Sequence, residues 1–532
     1  MDIHPATLQL QRSSTKSKRL DQVGRLLALT LSLATILASG CRVGPHYSKP
    51  SAFPAPPPDQ YKETTAPPVT DSQWKPAQPQ DAMLRGKWWQ IYNDPDLNDL
   101  EDKLNIDNQN IKEYFQNFME ARTLVAQART QLFPTLSTSP GFSRSRSSAN
   151  LGRNAVATTG STGAAASTGS QNSVFSLPLD ASWEPDLFGR IRNQIRAAQY
   201  SAQVSAADLE NERLTEQASL ATYFFEIRGQ DSLIQLYNDT VAADQNALDL
   251  TQKLYDTGID NEISVVEAQN TLQNAKASAT NLTVARAQYE NAIAVLIGAN
   301  PSTFTIPAKP LNATPPPVPL GMPSQLLERR PDIAAAERQM ASSNAQIGVA
   351  TAAFFPTLDL SASGGLESSA ISTLFNWPSR FWSVGATLPE TIFDAGLRRA
   401  EVNQYIATYN ANVASYRQTV LTAVQQVEDA IAELRILSNQ MEQQQEAEQS
   451  AQKFVDLETT RYKTGIDPYI NVVQAQTTLL SDQSTLANLR IQQMTASVSL
   501  VQALGGGWNS SDLPTPAQIT TKLAKTDTTI QK

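Results

Sequence analysis

Cysteine and histidine, the residue types that most often carry nucleophilic or metal chemistry, are nearly absent from this 532-residue chain. Cys41 is the only cysteine, and His4 and His46 are the only histidines. A structural Cys–zinc site needs more such residues than the chain holds. A chain that begins at Cys41 keeps one histidine, His46, and this residue lies in an extended segment where no His-based catalytic triad is expected. No pair of carboxylates stands out from the helical charge pattern either. We therefore predict that the chain is not an enzyme and needs no cofactor or metal.

The chemistry that remains is acylation of the Cys41 thiol. Basic residues precede an apolar run over Leu26–Leu37, and the small residues Ala38–Gly40 stand immediately before Cys41. This order is typical of a bacterial lipoprotein signal, in which the cysteine is lipidated and becomes the mature N-terminus. We predict a lipoprotein signal peptide over residues 1–40 and a lipid-anchored, extended, Pro-rich tether over residues 41–80. An ordinary signal peptide with an incidental cysteine is the alternative.

The charge balance argues against a nucleic-acid partner. The whole chain carries a net charge of -9, and residues 1–40 hold five Lys or Arg and two Asp. A chain that begins at Cys41 is therefore more acidic, near -12, because -9 - 3 = -12. Binding to phosphates needs clustered Lys and Arg, which this balance does not supply.

The chain contains an internal repeat. The segment Tyr255–Asp260 recurs as Tyr462–Asp467, an offset of 207 residues, and Phe133–Leu136 recurs as Phe355–Leu358. A period this long indicates a duplicated half-protein and not a solenoid, so the fold is predicted to have internal pseudo-symmetry. The predicted segments are a first repeat over 81–310, a second repeat over 311–508 and a C-terminal polar tail over 509–532.

Each of the two repeated glycine turns lies at the end of a long segment that is predicted to be helical. Arg190–Thr257 contains no Pro and one Gly, and Leu397–Thr464 contains neither, so each is predicted as a helix of about 100 Å. Each then turns, at 257–260 and at 464–467, and returns as a shorter helix; a further helix is predicted over 324–354. Apolar residues in the second long segment are spaced by three or four, as in a coiled-coil seam with one stutter. The residues of this seam are Val402, Ile406, Tyr409, Val413, Tyr416, Val420, Val424, Val427, Ile431 and Leu434.

Four segments alternate apolar and polar residues and are predicted as strands: 133–145, 173–186, 355–367 and 380–393. Strands of about ten residues with one apolar face are typical of outer-membrane barrels, although half-buried strands of other proteins look alike locally. Four strands cannot close, and an open sheet edge is not tolerated in lipid. A barrel therefore requires an oligomer, with eight strands in a dimer or twelve in a trimer.

Five motifs follow one another along the chain: Cys41–Pro50, Trp88–Trp89 with the following Asp94–Leu97, Trp183–Arg190, Pro323–Ile333 and Phe355–Leu358. In this order they resemble the TolC-like outer membrane factors, in particular the lipoprotein branch that includes OprM and NodT. The resemblance covers nearly the whole chain after Cys41. It implies a mixed α/β membrane protein, a homotrimer whose twelve-stranded outer-membrane β-barrel is continued by a long antiparallel α-helical coiled-coil tunnel across the periplasm.

The same resemblance implies partners and a function. A periplasmic adaptor and an inner-membrane RND-type transporter would deliver solutes or drugs to this passive exit duct. A duct for type I protein secretion is the first alternative. A coiled-coil lipoprotein scaffold without a pore is the second, and the alternating strands argue against it.

The resemblance also assigns residues near the two turns. The family's adaptor-contact tips correspond to Thr257, Gly258, Ile259, Thr464, Gly465 and Ile466. Its apolar constriction and acidic ring correspond to Ile470 and Gln474, with Asn471 and Asp467 nearby. Gln474 stands where an Asp is usual, so Asp467 or Glu267 is the alternative source of ring charge. The competing interpretations are that glycine only permits a tight turn and that Gln474 is a solvated helix residue.

Overall fold

The computed structural model describes residues 42–53, 60–62, 86–146, 148, 171–318 and 323–520. The predicted signal peptide and Cys41 lie outside these residues, and both stay predictions. The chain divides into two compact units. The strand unit takes its residues from the chain up to Tyr47, from Thr123–Gln199 and from Ala341–Tyr409; the helical unit takes them from Ser48–Arg122, Tyr200–Met340 and from Asn410 onward.

The elements follow in the order that the repeat predicts. The helices are α1 (Pro95–Asp107), α2 (Gln109–Thr130), α3 (Arg190–Asp256), α4 (Glu262–Leu296), α5 (Leu326–Arg329), α6 (Pro331–Ala352), α7 (Leu397–Lys463), α8 (Tyr469–Ala503) and α9 (Pro516–Thr520). The strands are β1 (Thr135–Thr138), β2 (Gly141–Arg146), β3 (Gln171–Trp183), β4 (Asp359–Ser368) and β5 (Arg380–Thr387).

The two long helices are confirmed, since α3 and α7 each contain 67 residues. The single glycine inside α3 has a packing role. A Cβ atom on Gly229 would lie only 2.2 Å from the side chain of Ile491 in α8. Glycine therefore lets these two helices approach closely, at a cost in helix propensity that the remaining residues of α3 offset.

The helix predicted over 324–354 is wrong as a single element. A 3-10 turn over Pro323–Gln325 leads into the short α5, and the chain is extended at Arg330 before α6 begins at Pro331. Proline clashes with the backbone of the preceding residue and excludes the α conformation there. The side chain of Arg330 fixes this break, because it donates to the carbonyl of Ala503 at 2.9 Å and to Gln426 at 2.8 Å.

All four predicted strands have different bounds in the structure. The strand predicted over 133–145 is interrupted at Pro140, which has no N–H to donate, yet β1 and β2 keep one continuous register on β3. The strand predicted over 380–393 ends at Thr387, because Pro389 follows and β5 lies at the edge of the sheet. The strand predicted over 355–367 begins only at Asp359. The segment 173–186 corresponds to β3, which ends at Trp183.

The sheet of the strand unit is antiparallel, in the order β1/β2, β3, β4, β5. Because β1 and β2 share one register, it has four strand positions, as predicted. The central pair β3–β4 joins the first repeat to the second. A Cβ atom on Gly365 of β4 would lie 2.2 Å from the carbonyl oxygen of Leu177 in β3, so glycine is required for these strands to lie this close.

From Tyr416 onward the predicted seam of α7 is buried, except for Val424, which is half-buried. Tyr416, Val420 and Val427 are fully buried in the helical unit, whereas Ile406, in the part of α7 that belongs to the strand unit, is exposed. The heptad spacing thus predicted the buried face correctly where other helices of the chain cover it. No helix among the described residues has a stretch both long and apolar enough to cross a membrane.

The described parts of the predicted tether and tail lie against the protein. Gly44 approaches Gly348 so closely that a Cβ atom would lie 2.6 Å from its Cα atom, and Tyr61 is buried in the helical unit. At the other end, the buried Ile519 of α9 packs in the helical unit, and Gln203 donates to the carbonyl of Pro514 at 2.9 Å. Residues 521–532 of the tail lie outside the described part.

Candidate functional site

The two repeated glycine turns have the same backbone geometry. Gly258 and Gly465 have φ angles of 75° and 74°, in the left-handed region that other residues rarely adopt. The amide of Ile259 donates to the carbonyl of Leu254, and that of Ile466 to Arg461, each at 2.9 Å. These bonds close the end of a helix as in a Schellman motif. Each long helix therefore ends in a tight turn that leads directly into its shorter partner.

Both turns present apolar side chains to solvent. Ile259 is 75% exposed and Ile466 is 65% exposed. The hydroxyls of Thr257 and Thr464 bond back to the carbonyls of their own helices, at 2.9 and 3.1 Å. The threonines therefore complete the turns, and the two isoleucines are the accessible apolar groups of the predicted tips.

A hydrogen bond ties the two turns together. The Tyr462 hydroxyl, at the end of α7, donates to Oδ2 of Asp260, in the first turn, at 2.8 Å. The Ser264 hydroxyl donates to the other carboxylate oxygen at 2.9 Å. Partial burial opposes ionisation of Asp260, but the donors from Asn261, Tyr462 and Ser264 outweigh it and lower its pKa. The chain thus holds an ionised carboxylate at the junction of its two hairpins.

Aromatic packing supports this junction. Tyr462 and Tyr469 are buried with Ala268 and Val472 in one cluster, and the two tyrosine rings lie 5.2 Å apart. Burial, and then the nearby Asp260 carboxylate, raise the pKa of Tyr462 to about 12. The phenol therefore remains a donor at neutral pH. Sequence reasoning missed Tyr462 and Asp260, although the repeated Tyr and Asp of the turn motif were a signal for both.

Asp467 forms an ion pair with Arg461 of the same chain. Its carboxylate accepts from Nε and Nη2 of Arg461, the latter at 3.0 Å. These hydrogen bonds lower the pKa of Asp467. Asp467 is therefore ionised, but its charge is compensated within the turn, which weakens it as the source of a negative ring.

The predicted gate residues lie on one side of α8. Ile470 is 37% exposed and Gln474 is exposed, whereas Val472 and Ala475 are buried; Asn471 is half-buried. Residues four apart share one face of a helix. Ile470 and Gln474 therefore form a strip that the helices of this chain do not cover.

The sheet presents a second set of uncovered apolar side chains. On one face of the strands the exposed residues are Leu136, Phe142, Leu179, Trp183, Trp382 and Val384. They alternate with polar residues such as Ser363, whose hydroxyl donates to Asp180 at 2.6 Å on the opposite face. A sheet with one apolar and one polar face, and no core on the apolar side, is typical of a strand set that faces lipid.

Comparisons with known proteins identify the family of the chain. The outer membrane efflux protein family matches residues 101–299 and 322–506. The toluene efflux pump outer membrane protein TtgC of Pseudomonas putida is 30% identical over 486 residues, which cover 90% of this chain and 95% of TtgC.

Solved structures have the same fold. The outer-membrane channel OprN is similar with a TM-score of 0.76 and 26% identity, over 88% of this chain and all of OprN. The MtrE outer membrane channel of Neisseria gonorrhoeae gives a TM-score of 0.75 and 25% identity, over 89% of this chain and all of MtrE. The family match spans both repeats, and both glycine turns lie within it. The chain therefore belongs to the outer membrane efflux protein family, and it is an outer-membrane efflux channel.

Proposed function

We propose that three copies of this chain form the outer-membrane exit duct of a tripartite efflux system. A periplasmic adaptor docks on the helical hairpin tips and links the duct to an inner-membrane RND-type transporter. Solutes or drugs then pass through the duct passively, and the transporter supplies the energy. Lipidation at Cys41 adds an anchor in the outer membrane.

The exposed apolar tips carry this proposal. Ile259 and Ile466 are accessible at the ends of two hairpins whose backbone geometry is the same. A rigid turn with an accessible branched side chain loses little conformational entropy on binding, which favours a docking contact. The repeat doubles the contact, because each copy presents two equivalent tips.

The gate is part of the same proposal. The strip of Ile470 and Gln474 lies just after the second turn, on the uncovered side of α8. Three such strips around an axis form an apolar constriction followed by a ring of amides. An apolar constriction blocks water and ions while it is narrow. Docking of the adaptor widens it by moving the second hairpin.

Docking of the adaptor at the tips is tested by replacing the two exposed isoleucines with serine. The gene is deleted in the source bacterium and replaced by the wild type or by Ile259→Ser with Ile466→Ser. Toluene tolerance and adaptor recovery after cross-linking are measured, toluene being the probe because TtgC is named for it. We expect the tip variant to lose toluene tolerance and to recover no cross-linked adaptor. Ile106→Ser is the matched control, since this isoleucine of α1 is similarly exposed.

The outcomes separate the alternatives. A tip variant that still recovers the adaptor and still protects against toluene would refute docking at the tips. Normal toluene tolerance in the deletion strain, together with the loss of a protein from the culture medium, would instead indicate type I protein secretion.

A further inference from the structure

The apolar face of the sheet has two different ends. At one end the strands join helices, since β3 leads into α3, α6 leads into β4 and β5 leads into α7. At the other end the strands join each other, and residues 369–379 connect β4 to β5. We call these the helix end and the loop end of the sheet.

The N-terminal segment indicates which membrane leaflet each end meets. The amide of Val43 donates to the carbonyl of Phe188 at 3.1 Å, and a Cβ atom on Gly189 would lie 3.0 Å from Cγ of Arg42. Arg42 therefore lies at the helix end, directly after Cys41 in the sequence. An acyl chain on Cys41 enters the periplasmic leaflet of the outer membrane. The loop end then meets the outer leaflet, an orientation that rests on the predicted acylation.

The described strands contain three carboxylates and three cations, and each set keeps to one face. The carboxylates are Asp180, Asp359 and Glu367, which share the polar face with Ser363. The cations are Arg144, Arg146 and Arg380. Arg380 is two residues from Trp382, and Arg144 is two residues from Phe142, so the arginines share the apolar face with these rings.

All three arginines lie at the loop end. Arg380 is the first residue of β5, and Arg146 is the last residue of β2. Arg144 donates to the Gln171 side chain at 3.3 Å, and no described carboxylate forms an ion pair with any of the three. An arginine on a lipid-facing strand costs far less near the membrane interface than at the midplane. The arginines therefore mark the head-group level of the outer leaflet.

The loop between β4 and β5 holds aromatic side chains beside Arg380. The Ser379 hydroxyl donates to the carbonyl of Thr373 at 2.7 Å and so closes the loop on itself. Phe375 and Trp377 are nevertheless 75% and 74% exposed. The Arg380 guanidinium lies over the Trp377 ring, 3.5 Å from its centre. Stacking uses the flat face of the guanidinium and leaves the N–H groups at its edge for a bidentate contact with one phosphate.

We propose that the loop end of the apolar face binds the phosphate groups of lipid A, the phosphorylated glycolipid of the outer leaflet. Arg380 on Trp377 forms one phosphate subsite, and Arg144 with Arg146 forms the other. The two subsites take separate phosphates, because β3 and β4 lie between β2 and β5 and each strand spacing is about 4.8 Å. The exposed Trp382, deeper on the same face, contacts the acyl chains.

The charge pattern favours this lipid over other occupants. The cations stand on the face that lipid covers, which a soluble protein cannot reach. The carboxylates of the strands are confined to the opposite face, so no strand carboxylate competes with a phosphate for the arginines. Glycerophospholipids of the periplasmic leaflet meet the helix end. A phosphorylated lipid of the outer leaflet is therefore the occupant that matches both the position and the charge.

Binding of lipid A to the purified full chain in detergent tests the site. Lipid A with both phosphates, labelled with ³²P, is mixed with the protein below saturation, and the label that is captured with the protein is counted. We expect Arg380→Gln, and the pair Arg144→Gln with Arg146→Gln, each to lose about half of the bound lipid A, because each removes one of two charge-assisted subsites. The triple variant is expected to lose nearly all of it.

Two matched variants control for general charge effects. Arg399→Gln removes an exposed arginine at the helix end, and Glu367→Gln changes an exposed carboxylate on the polar face at the loop end. Both are expected to bind lipid A as the wild type does. A loss with Arg399→Gln as large as with Arg380→Gln would mean that any cation attracts the lipid, and would overturn the site. Binding that is equal in the wild type and the triple variant would overturn it as well.

Competitors identify the ligand. Unlabelled lipid A should displace the label, whereas lipid A without its phosphates, phosphatidylglycerol and inorganic phosphate should displace little. Displacement by inorganic phosphate would indicate a site for the free ion. Equal displacement by phosphatidylglycerol would indicate a site for any anionic lipid. Either result would overturn the assignment to lipid A.

Labelling of intact cells tests the orientation. Asn376→Cys adds a thiol at an exposed position next to Trp377, in a chain whose only other cysteine is Cys41. A maleimide too large to cross the outer membrane is expected to label this variant, and not the wild type, in whole cells. Label only after the cells are broken would place the loop end in the periplasm and overturn the proposal. Label in whole cells with unchanged lipid A binding in the triple variant would refute the lipid site alone and leave the exit duct proposal intact.

Discussion

At the scale of single residues, the Tyr462–Asp260 bond is the most specific contact of the hairpin tips. Tyr462→Phe removes one donor from an ionised carboxylate and leaves the ring in its cluster. We expect backbone hydrogen exchange over residues 464–475 to become about fivefold faster near pH 7, which corresponds to about 1 kcal/mol for one hydrogen bond. Mass spectrometry of exchanged peptides measures this. Tyr469→Phe, which retains the bond, is the control.

The pH dependence of this effect has a definite sign. The lowered pKa of Asp260 means that its carboxylate stabilises the tips above the ordinary value of 3.8, and that this contribution is lost as the pH falls through the folded-state pKa. The Tyr462 phenol stays protonated up to about pH 12. The exchange rates of wild type and Tyr462→Phe over residues 464–475 should therefore become equal only in acid, once the Asp260 carboxylate is protonated. A difference that persists in strong acid would show that the bond to the carboxylate is not its cause.

The proposed gate gives a second prediction at this scale. Ile470→Ser should raise single-channel conductance in planar bilayers, because a polar ring no longer excludes water. Gln474→Asp should raise cation preference with little effect on assembly, since Gln474 is exposed. Ile263→Ser is the matched control, since this exposed isoleucine of α4 is the equivalent of Ile470 after the first turn. If neither conductance nor selectivity changes, the constriction lies elsewhere in the duct.

At the scale of elements, the alternation along β3 and β5 predicts which substitutions the membrane tolerates. Leu179→Arg or Val384→Arg places a charge on the exposed apolar face and should cost about 2–4 kcal/mol per chain near the bilayer midplane. The free energy of folding of each variant is measured by urea titration of the protein in lipid vesicles. Ser361→Arg, on the polar face of β4, is expected to cost far less. Equal costs on both faces would mean that the apolar face does not contact lipid.

The bounds of the elements depend on single prolines and glycines. Pro331 divides a predicted helix, and Pro140 interrupts a predicted strand without changing its register. Gly229 lies inside a 67-residue helix and does not break it, because Ile491 occupies the space that a side chain would need. Proline acts locally through a missing donor and a clash, whereas the effect of glycine depends on what packs against it.

At the scale of the whole molecule, we predict that an acyl chain on Cys41 attaches the protein to the outer membrane, in addition to the strands. Metabolic labelling with palmitate should mark the wild type and not Cys41→Ser. The unlabelled variant should still reach the outer membrane in part, because the strands anchor it independently. Membrane fractionation beside the labelling measures this. Equal label in both chains would contradict lipidation at this residue and favour an ordinary signal peptide.

The sequence alone determined the repeat, the two long helices, the glycine turns and the alternation of four strands. These features are local: helical and strand periodicity, and the left-handed backbone at Gly258 and Gly465, depend on neighbouring residues. Only the tertiary structure decided that Tyr462 reaches Asp260, 202 residues earlier, and that β3 of the first repeat pairs with β4 of the second. Such contacts depend on which distant faces pack together, and no pattern within one segment specifies that choice.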